Sequence, residues 1–404
     1  MKILLSAYAC EPHKGSEPAV GWNWMLSLIK QGHHVFVLTR SNNKQTIESE
    51  IKKLQLPVTP LYYDLPSWCR RWKRWPGGLY FYYLFWQLGA YFFAKRIHKI
   101  EQFDLVHHIT FVTFRQPSFM GRLGIPFVLG PVGGGETSPR PLRRGFHRSG
   151  RFREAFRDIG IAWAQRDPLM HATFHRASRI ACTTPETLQR IPEKYHSKCI
   201  VLPAIGIDPP QQSPELHPPS HPSFLFIGRL LYWKGLHLVL RAFPEVLQRV
   251  PTARLRVIGE GEDSRWLKEV ARESGISSSV DWLPWMPHQE IAKEYQNNIA
   301  FVFPSLHDSG GLVVLESLAA SLPVICLDLG GPGIFVDSSC GIALKTSGQN
   351  DSSLQKALAE AMVSLAQNPE RRAKLAAACQ NRVRHFSWVA AAETLYSSLH
   401  LNTR

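Results

Sequence analysis

Short apolar runs alternate with longer stretches of helical periodicity along most of this chain. In the first half, residues 2–7 and 34–39 read as strands, with a helix over 20–31 between them. Residues 105–110, 126–130, 179–183 and 199–202 read as further strands. Strands separated by helical stretches predict a parallel, doubly wound sheet. Residues 203–222, PAIGIDPPQQSPELHPPSHP, are rich in proline and aperiodic, which predicts a linker. The pattern then restarts, with strands expected at 223–228, 254–259, 280–283, 299–304 and 323–327. Helices are expected at 236–249, 265–275, 288–297, 311–320, 354–367 and 369–385, and a last one at 387–401. The expected organisation is an N-terminal Rossmann-like domain (1–202), a hinge (203–222), a second Rossmann-like domain (223–386) and a C-terminal helical tail (387–404) with a route back to the first domain. Ligands of such domains bind at the carboxyl ends of the strands.

Composition narrows the class. The 404 residues are 44% apolar and 20% charged, ordinary for a globular chain of two or three domains and too apolar for intrinsic disorder. Seven cysteines (Cys10, Cys69, Cys182, Cys199, Cys326, Cys340 and Cys379) form no C-x-x-C pair, which fits a reducing cytosol better than a disulfide scaffold. The apolar run after Lys2 is too short for a signal peptide and reads as a buried strand. Residues 79–94, LYFYYLFWQLGAYFFA, fall short of a membrane span. They read as a buried helix, or alternatively as an interfacial helix with aromatic and basic anchors.

The net charge of +15 is one-sided. Residues 1–200 hold 29 Lys and Arg against 13 Asp and Glu, while residues 201–404 hold 18 against 19. A polyanionic partner is therefore expected on the first half. The basic run 140–157 (Arg140, Arg143, Arg144, Arg148, Arg151, Arg153, Arg157) reads by default as a solvated loop. Anionic lipid headgroups or a phosphorylated acceptor are the functional alternatives, and no nucleic-acid-binding motif accompanies it.

The glycine-rich stretches at 130–136 and 257–262 lack G-x-G-x-x-G, and no P-loop, H-E-x-x-H or G-x-S-x-G occurs. Dehydrogenase, P-loop NTPase, zincin and α/β-hydrolase chemistry thereby lose support. What remains is FIGRLLYWKGLHL, in which Arg229 and Lys234 follow a strand end and precede a helix. Two cations and free backbone N–H groups there can clamp a diphosphate. Further on, PSLHDSGGLVVLE carries Asp308, a glycine-rich helix entry (Ser309, Gly310, Gly311, Leu312) and Glu316. Two carboxylates beside a phosphate site suit sugar hydroxyls.

These residues resemble a known family. G-R-x-x-x-x-K-G, followed by two acidic positions eight residues apart, is similar to the donor half of the retaining GT-B glycosyltransferases of family 4, the glycosyl transferases group 1, in their bacterial polysaccharide or glycolipid type. Here Asp308 stands where the family has Glu, one methylene shorter. The resemblance implies an α/β GT-B fold, two doubly wound Rossmann-like domains facing across a cleft whose closure expels water. It implies transfer of a hexose-type sugar from a nucleotide diphosphate to an acceptor hydroxyl, with retention and without a bound metal or other cofactor. On it, Arg229 and Lys234 neutralise the leaving diphosphate, Glu316 binds ribose, Asp308 binds the sugar, and Gly228 and Ser309–Leu312 line the donor site. The loop with Pro284 and Met286 would read the base. In the first half, Gly15, Ser16 and Glu17, the loop with Gly134, Gly135 and Glu136, and one of His107 and His108 would line the cleft. On a strand those two histidines face opposite ways, with His108 the preferred candidate. The chain is expected in the cytoplasm, peripheral on the inner face of the plasma membrane, with cations of 70–96 and 140–157 toward anionic lipid. The competing expectations are another GT-B reaction, such as nucleotide-sugar epimerisation, and a non-catalytic polyanion-binding scaffold with a degenerate sugar-nucleotide site.

Overall fold

The computed structural model describes residues 1–75, 77–208, 219–397 and 399, so 209–218 of the expected hinge and 398 and 400–404 of the expected last helix lie outside the described residues. The chain divides into two compact units. The first comprises Met1–Gly135, Ile159–Ala204 and the segment from Trp388 onward; the second comprises Glu136–Asp158 and Ile205–Ser387. Residues 136–158, expected within the N-terminal domain, thus group with the second unit.

In the first unit, β1 (Lys2–Ser6), β2 (His34–Thr39), β3 (Val58–Tyr62), β4 (Leu105–His108), β5 (Phe127–Val132), β6 (Arg179–Cys182) and β7 (Cys199–Val201) form one parallel sheet of order β3-β2-β1-β4-β5-β6-β7. The central strands β4 and β5 are wholly buried, as expected of a sheet covered by helices on both faces; β5 is apolar, and β4 ends in the buried pair His107 and His108. The long helix Gly78–Glu101 buries Tyr82, Tyr83, Trp86 and Ala90 against this core. The terminal helix Trp388–Ser397 packs on the helix Ser16–Lys30, and Tyr396 reaches the core.

The second unit repeats the plan. Strands β8 (Ser223–Ile227), β9 (Arg254–Ile258), β10 (Val280–Leu283), β11 (Ala300–Phe303), β12 (Val324–Leu327) and β13 (Gly341–Leu344) pair in parallel in the order β10-β9-β8-β11-β12-β13. This order reverses direction between β8 and β11, and a crevice opens beyond the strand ends at such a reversal. Arg229 and Lys234 follow the first of these two strands, and Asp308 and Glu316 follow the second.

Strands β3 and β13 were not expected. The run 140–157 is not a solvated loop: residues Arg148–Ala164 form a helix, preceded by a 3-10 turn at Arg140–Gly145. The reason is visible in the side chains. Glu154 is wholly buried where an amphipathic pattern calls for an apolar residue, and Phe152 and Phe156 are exposed, so the polarity pattern hides the helix.

Candidate functional site

The end of β8 and the end of β11 are held together by backbone. After β8 the chain runs Gly228-Arg229 into a 3-10 turn, Tyr232–Lys234, and then the helix Leu236–Arg249. Gly235 joins turn to helix at φ 78°, and a Cβ there would lie 1.9 Å from the Pro304 carbonyl oxygen, so only glycine fits. In return, the Leu306 N–H donates to the Trp233 carbonyl at 2.8 Å. The loop after β11 is thus fastened to the turn after β8.

This fastening brings two of the expected residues into contact. The Lys234 ammonium donates to the Asp308 carboxylate, with both side chains mostly buried, and it lies 5.2 Å from the centre of the Phe303 ring. Asp308 also accepts from the Gly310 N–H at 3.2 Å, which shapes the entry to the helix Leu312–Ala319. Gly311 precedes that helix at φ 82°. Arg229 is exposed at the strand end and, among the described residues, makes no side-chain hydrogen bond or ion pair. It is free to meet an anion.

A second glycine pair, missed in the sequence, seats this loop. A Cβ on Gly330 would lie 2.2 Å from the Asp308 carbonyl oxygen, and one on Gly331 2.0 Å from that of Gly310. The Gly331 N–H donates to the Asp308 carbonyl at 2.8 Å. Glu316, one turn into the helix, accepts from the Tyr295 hydroxyl at 3.0 Å, and the Tyr295 hydroxyl lies 3.2 Å from the Val313 carbonyl. Burial, with Glu316 adding to it, pushes the phenol well above its ordinary range, so it stays a donor. Tyr295 belongs to the helix His288–Gln296, and its spacing alone marks it only as a core residue. Pro284 and Met286 lie in the loop after β10, where Trp285 is largely exposed.

The basic run contributes structure here. Arg143 grips Asp158 with both terminal nitrogens (2.6 and 3.0 Å) and donates to the Ser138 carbonyl, Arg153 pairs with Glu262, and Arg157 donates to the Glu136 carbonyl. Three of the seven arginines offered to a lipid surface are therefore already engaged, whereas Arg140, Arg144, Arg148 and Arg151 are exposed.

In the first unit the two histidines do face opposite sides of the sheet. His107 donates from Nε2 to the Gly130 carbonyl (2.7 Å), and its Nδ1 accepts from the Tyr396 hydroxyl (2.9 Å). Both nitrogens are taken, so His107 is a satisfied core residue. His108 accepts at Nε2 from the Gln87 amide (2.8 Å) and lies 2.8 Å from the Tyr83 hydroxyl. Burial drives both rings to the neutral form, with pKa values of about 4 and about 3. Gly15 and Ser16 are exposed at the start of their helix, Ser16 at φ 58°. Glu17 accepts from the Phe111 N–H at 2.9 Å, and burial raises its pKa. Gly134 turns at φ 89° beside Thr113, the Gly135 N–H donates to Thr187, and Glu136 is buried. Among the described residues, no group of three or more His, Cys, Asp or Glu is placed to hold a metal ion. None of their helices is long and apolar enough to cross a membrane.

Residues 209–382 match the glycosyl transferases group 1 family. Arg229, Lys234, Asp308, Glu316 and Tyr295 all fall within this group 1 region. Over 177 residues (42% of this chain, 41% of the relative), the chain is 32% identical to a D-inositol 3-phosphate glycosyltransferase of Corynebacterium aurimucosum. Over 181 residues (43% and 40%), it is 33% identical to the enzyme of that name from Rhodococcus erythropolis. The chain thus spans about two fifths of the length of these curated relatives. Solved structures match throughout. The lipopolysaccharide outer core galactosyltransferase WaaB aligns with a TM-score of 0.63 at 12% identity, covering 99% of this chain and 100% of that one. Sucrose-phosphate synthase from Thermosynechococcus elongatus aligns with a TM-score of 0.63 at 18% identity (98% of each), and Anabaena HepE in complex with UDP with 0.58 at 15% (99% of each). With the two parallel sheets, these likenesses establish the GT-B fold of two Rossmann-like domains.

Proposed function

We propose that this chain is a retaining, metal-independent glycosyltransferase that moves a hexose-type sugar from a nucleoside diphosphate to an acceptor hydroxyl, in polysaccharide or glycolipid synthesis. The observation that carries this reading is the grouping at the ends of β8 and β11: a free Arg229, a Lys234 held by Asp308, and the start of the helix Leu312–Ala319. Negative charge grows on the departing diphosphate in the transition state, and preorganised cations there lower the barrier. An ammonium has three donors, so Lys234 can keep Asp308 while offering the others to phosphate. Arg229 supplies the second charge. Glu316, oriented by Tyr295, suits the vicinal hydroxyls of ribose. The UDP complex of HepE, a structural neighbour, supports a uridine nucleotide as the first donor to try.

The test is a thermal-shift panel of UDP, GDP and ADP and their glucose conjugates. One nucleotide series should raise the melting temperature, with concentration dependence. No response from any series at millimolar concentration refutes the donor-site reading and leaves the scaffold.

A second reading concerns where the acceptor is met. From Ser67 to Ile100 the sequence has seven Lys and Arg and no Asp or Glu. Trp68, Trp75, Phe81, Phe85 and Phe92 of this stretch are exposed, among the cations Arg70, Arg71, Arg74, Lys95 and Arg96. Aromatic side chains beside cations form an interfacial anchor for an anionic bilayer. Flotation should recover the chain with phosphatidylglycerol vesicles and not with phosphatidylcholine alone. Equal recovery with both, or with neither, overturns this second reading.

A further inference from the structure

A buried carboxylate that no sequence motif marks reaches both loops of the phosphate site. Glu154, on the helix Arg148–Ala164, is fully buried. Its Oε1 accepts from His307 Nε2 at 2.9 Å and from the Tyr232 hydroxyl at 3.1 Å. Tyr232 opens the turn that ends in Lys234, and His307 immediately precedes Asp308. The two loops also meet directly: the His307 ring stacks on Trp233, with 5.3 Å between centroids and 13° between planes. One oxygen therefore ties together the neighbours of both members of the Lys234–Asp308 pair.

The surroundings hold this carboxylate in place and in its charged form. The Tyr232 N–H donates to Asp263 at 2.8 Å, and His147 donates from Nε2 to the other oxygen of Asp263 at 2.9 Å. Tyr232 packs edge-on against Phe146, and a Cβ on Gly150 would come within 3.1 Å of its ring. Residues 146–154 thus form a close-fitting strap over the turn. Burial alone would push the Glu154 pKa up; the hydrogen bond donated by His307, with the Arg143 guanidinium at 3.9 Å, outweighs it and holds the carboxyl below the usual carboxylate range. Burial lowers the His307 pKa against the partial opposition of Glu154, which leaves a neutral ring donating through Nε2.

We infer that Glu154 is a positioning residue of the donor site: through His307 and Tyr232 it sets the register of the two loops that carry Asp308 and Lys234. The inference rests on the reading of those two residues as donor ligands. A buried, shared acceptor suits this role because losing it leaves two donors unsatisfied, so alternative loop placements are penalised.

The experiment is a double-mutant cycle on the full chain, read as UDP affinity by calorimetry. Glu154→Gln keeps the shape and one acceptor oxygen but removes the charge, and Tyr232→Phe removes only a hydroxyl. Each should weaken UDP binding at least fivefold, with circular dichroism unchanged. In a Lys234→Ala background the same changes should alter affinity less than twofold, because their effect passes through Lys234. A role confined to stability would lower the melting temperature in both backgrounds and leave affinity intact. If Lys234→Ala loses UDP while Glu154→Gln and Tyr232→Phe bind as the parent does, the inference is overturned on its own. If Lys234→Ala binds UDP as the parent does, the donor-site reading falls and takes this inference with it.

Discussion

Acidification will destabilise this chain through histidines that burial holds neutral, with the largest shifts at three of them. His107 and His108 in the first unit and His237 in the second are buried, and desolvation lowers their pKa values to about 4, about 3 and about 3. In the unfolded chain each titrates near 6.5. Because the folded values are the lower ones, the stabilisation is complete above about pH 6.5 and is lost as the pH falls through the folded values. At pH 4.5 each histidine forfeits on the order of 2 to 3 kcal/mol, so about 5 kcal/mol is lost from the first unit and about 3 kcal/mol from the second. Domain stabilities of about 5–15 kcal/mol make the first loss decisive. Glu17, raised by burial, takes up a proton in the folded state and offsets a part of it at the acid end. Urea unfolding between pH 6 and 5 should give a slope of about 2.5 kcal/mol per pH unit for the first unit's transition, close to two protons. His107→Gln, which does not titrate, should roughly halve that slope. A slope of about 1.4 kcal/mol or less, one proton's worth, would refute the assignment of both rings as neutral and buried.

Three further outcomes bear on the site. Lys234→Ala should weaken UDP binding about tenfold or more in calorimetry, the effect of losing a charge-assisted hydrogen bond; unchanged affinity removes Lys234 from the donor site. Gly235→Ala should destabilise the second unit by about 2 kcal/mol in urea unfolding, from its left-handed backbone and the approach of Pro304. A loss under about 0.5 kcal/mol contradicts that geometry. Tyr295→Phe should cost about 1 kcal/mol of stability and reduce the preference for UDP over 2′-deoxy-UDP, since Glu316 loses its orienting donor; an unaltered preference separates Tyr295 from ribose recognition.

Much of the fold was legible because inner strands of a covered parallel sheet are mostly apolar. The inner strand expected at 34–39 and the helix expected at 236–249 have the observed bounds, and so does one edge strand, 280–283. The two strands that escaped, β3 and β13, are both at sheet edges and mostly half-buried. β3 even contains Pro60, which an edge strand tolerates and a central one does not. The site was legible wherever its chemistry is local: Lys234 and Asp308 were chosen separately, and the structure joins them. Glu154, Tyr295 and Gly330 were illegible because their roles depend on partners 153, 21 and 22 residues away in sequence (His307, Glu316 and Asp308). No periodicity records such distances. His107 shows the converse, a plausible ligand by sequence whose two nitrogens are occupied within its own core.

The seat of the Asp308 loop has a consequence for how this protein can change. Its position is fixed by main chain lying on main chain, Gly330 against the Asp308 carbonyl and Gly331 against that of Gly310. The Asp308 side chain is thereby relieved of seating the backbone at 308 and 310, while the glycines opposite are not free to vary. Substitution at position 308 can lengthen or shorten the reach of a carboxylate without shifting its anchor. On the reading of Asp308 as a donor-sugar ligand proposed above, new donor preferences would be open to a lineage one residue at a time, on a platform set by residues that carry no part of the recognition.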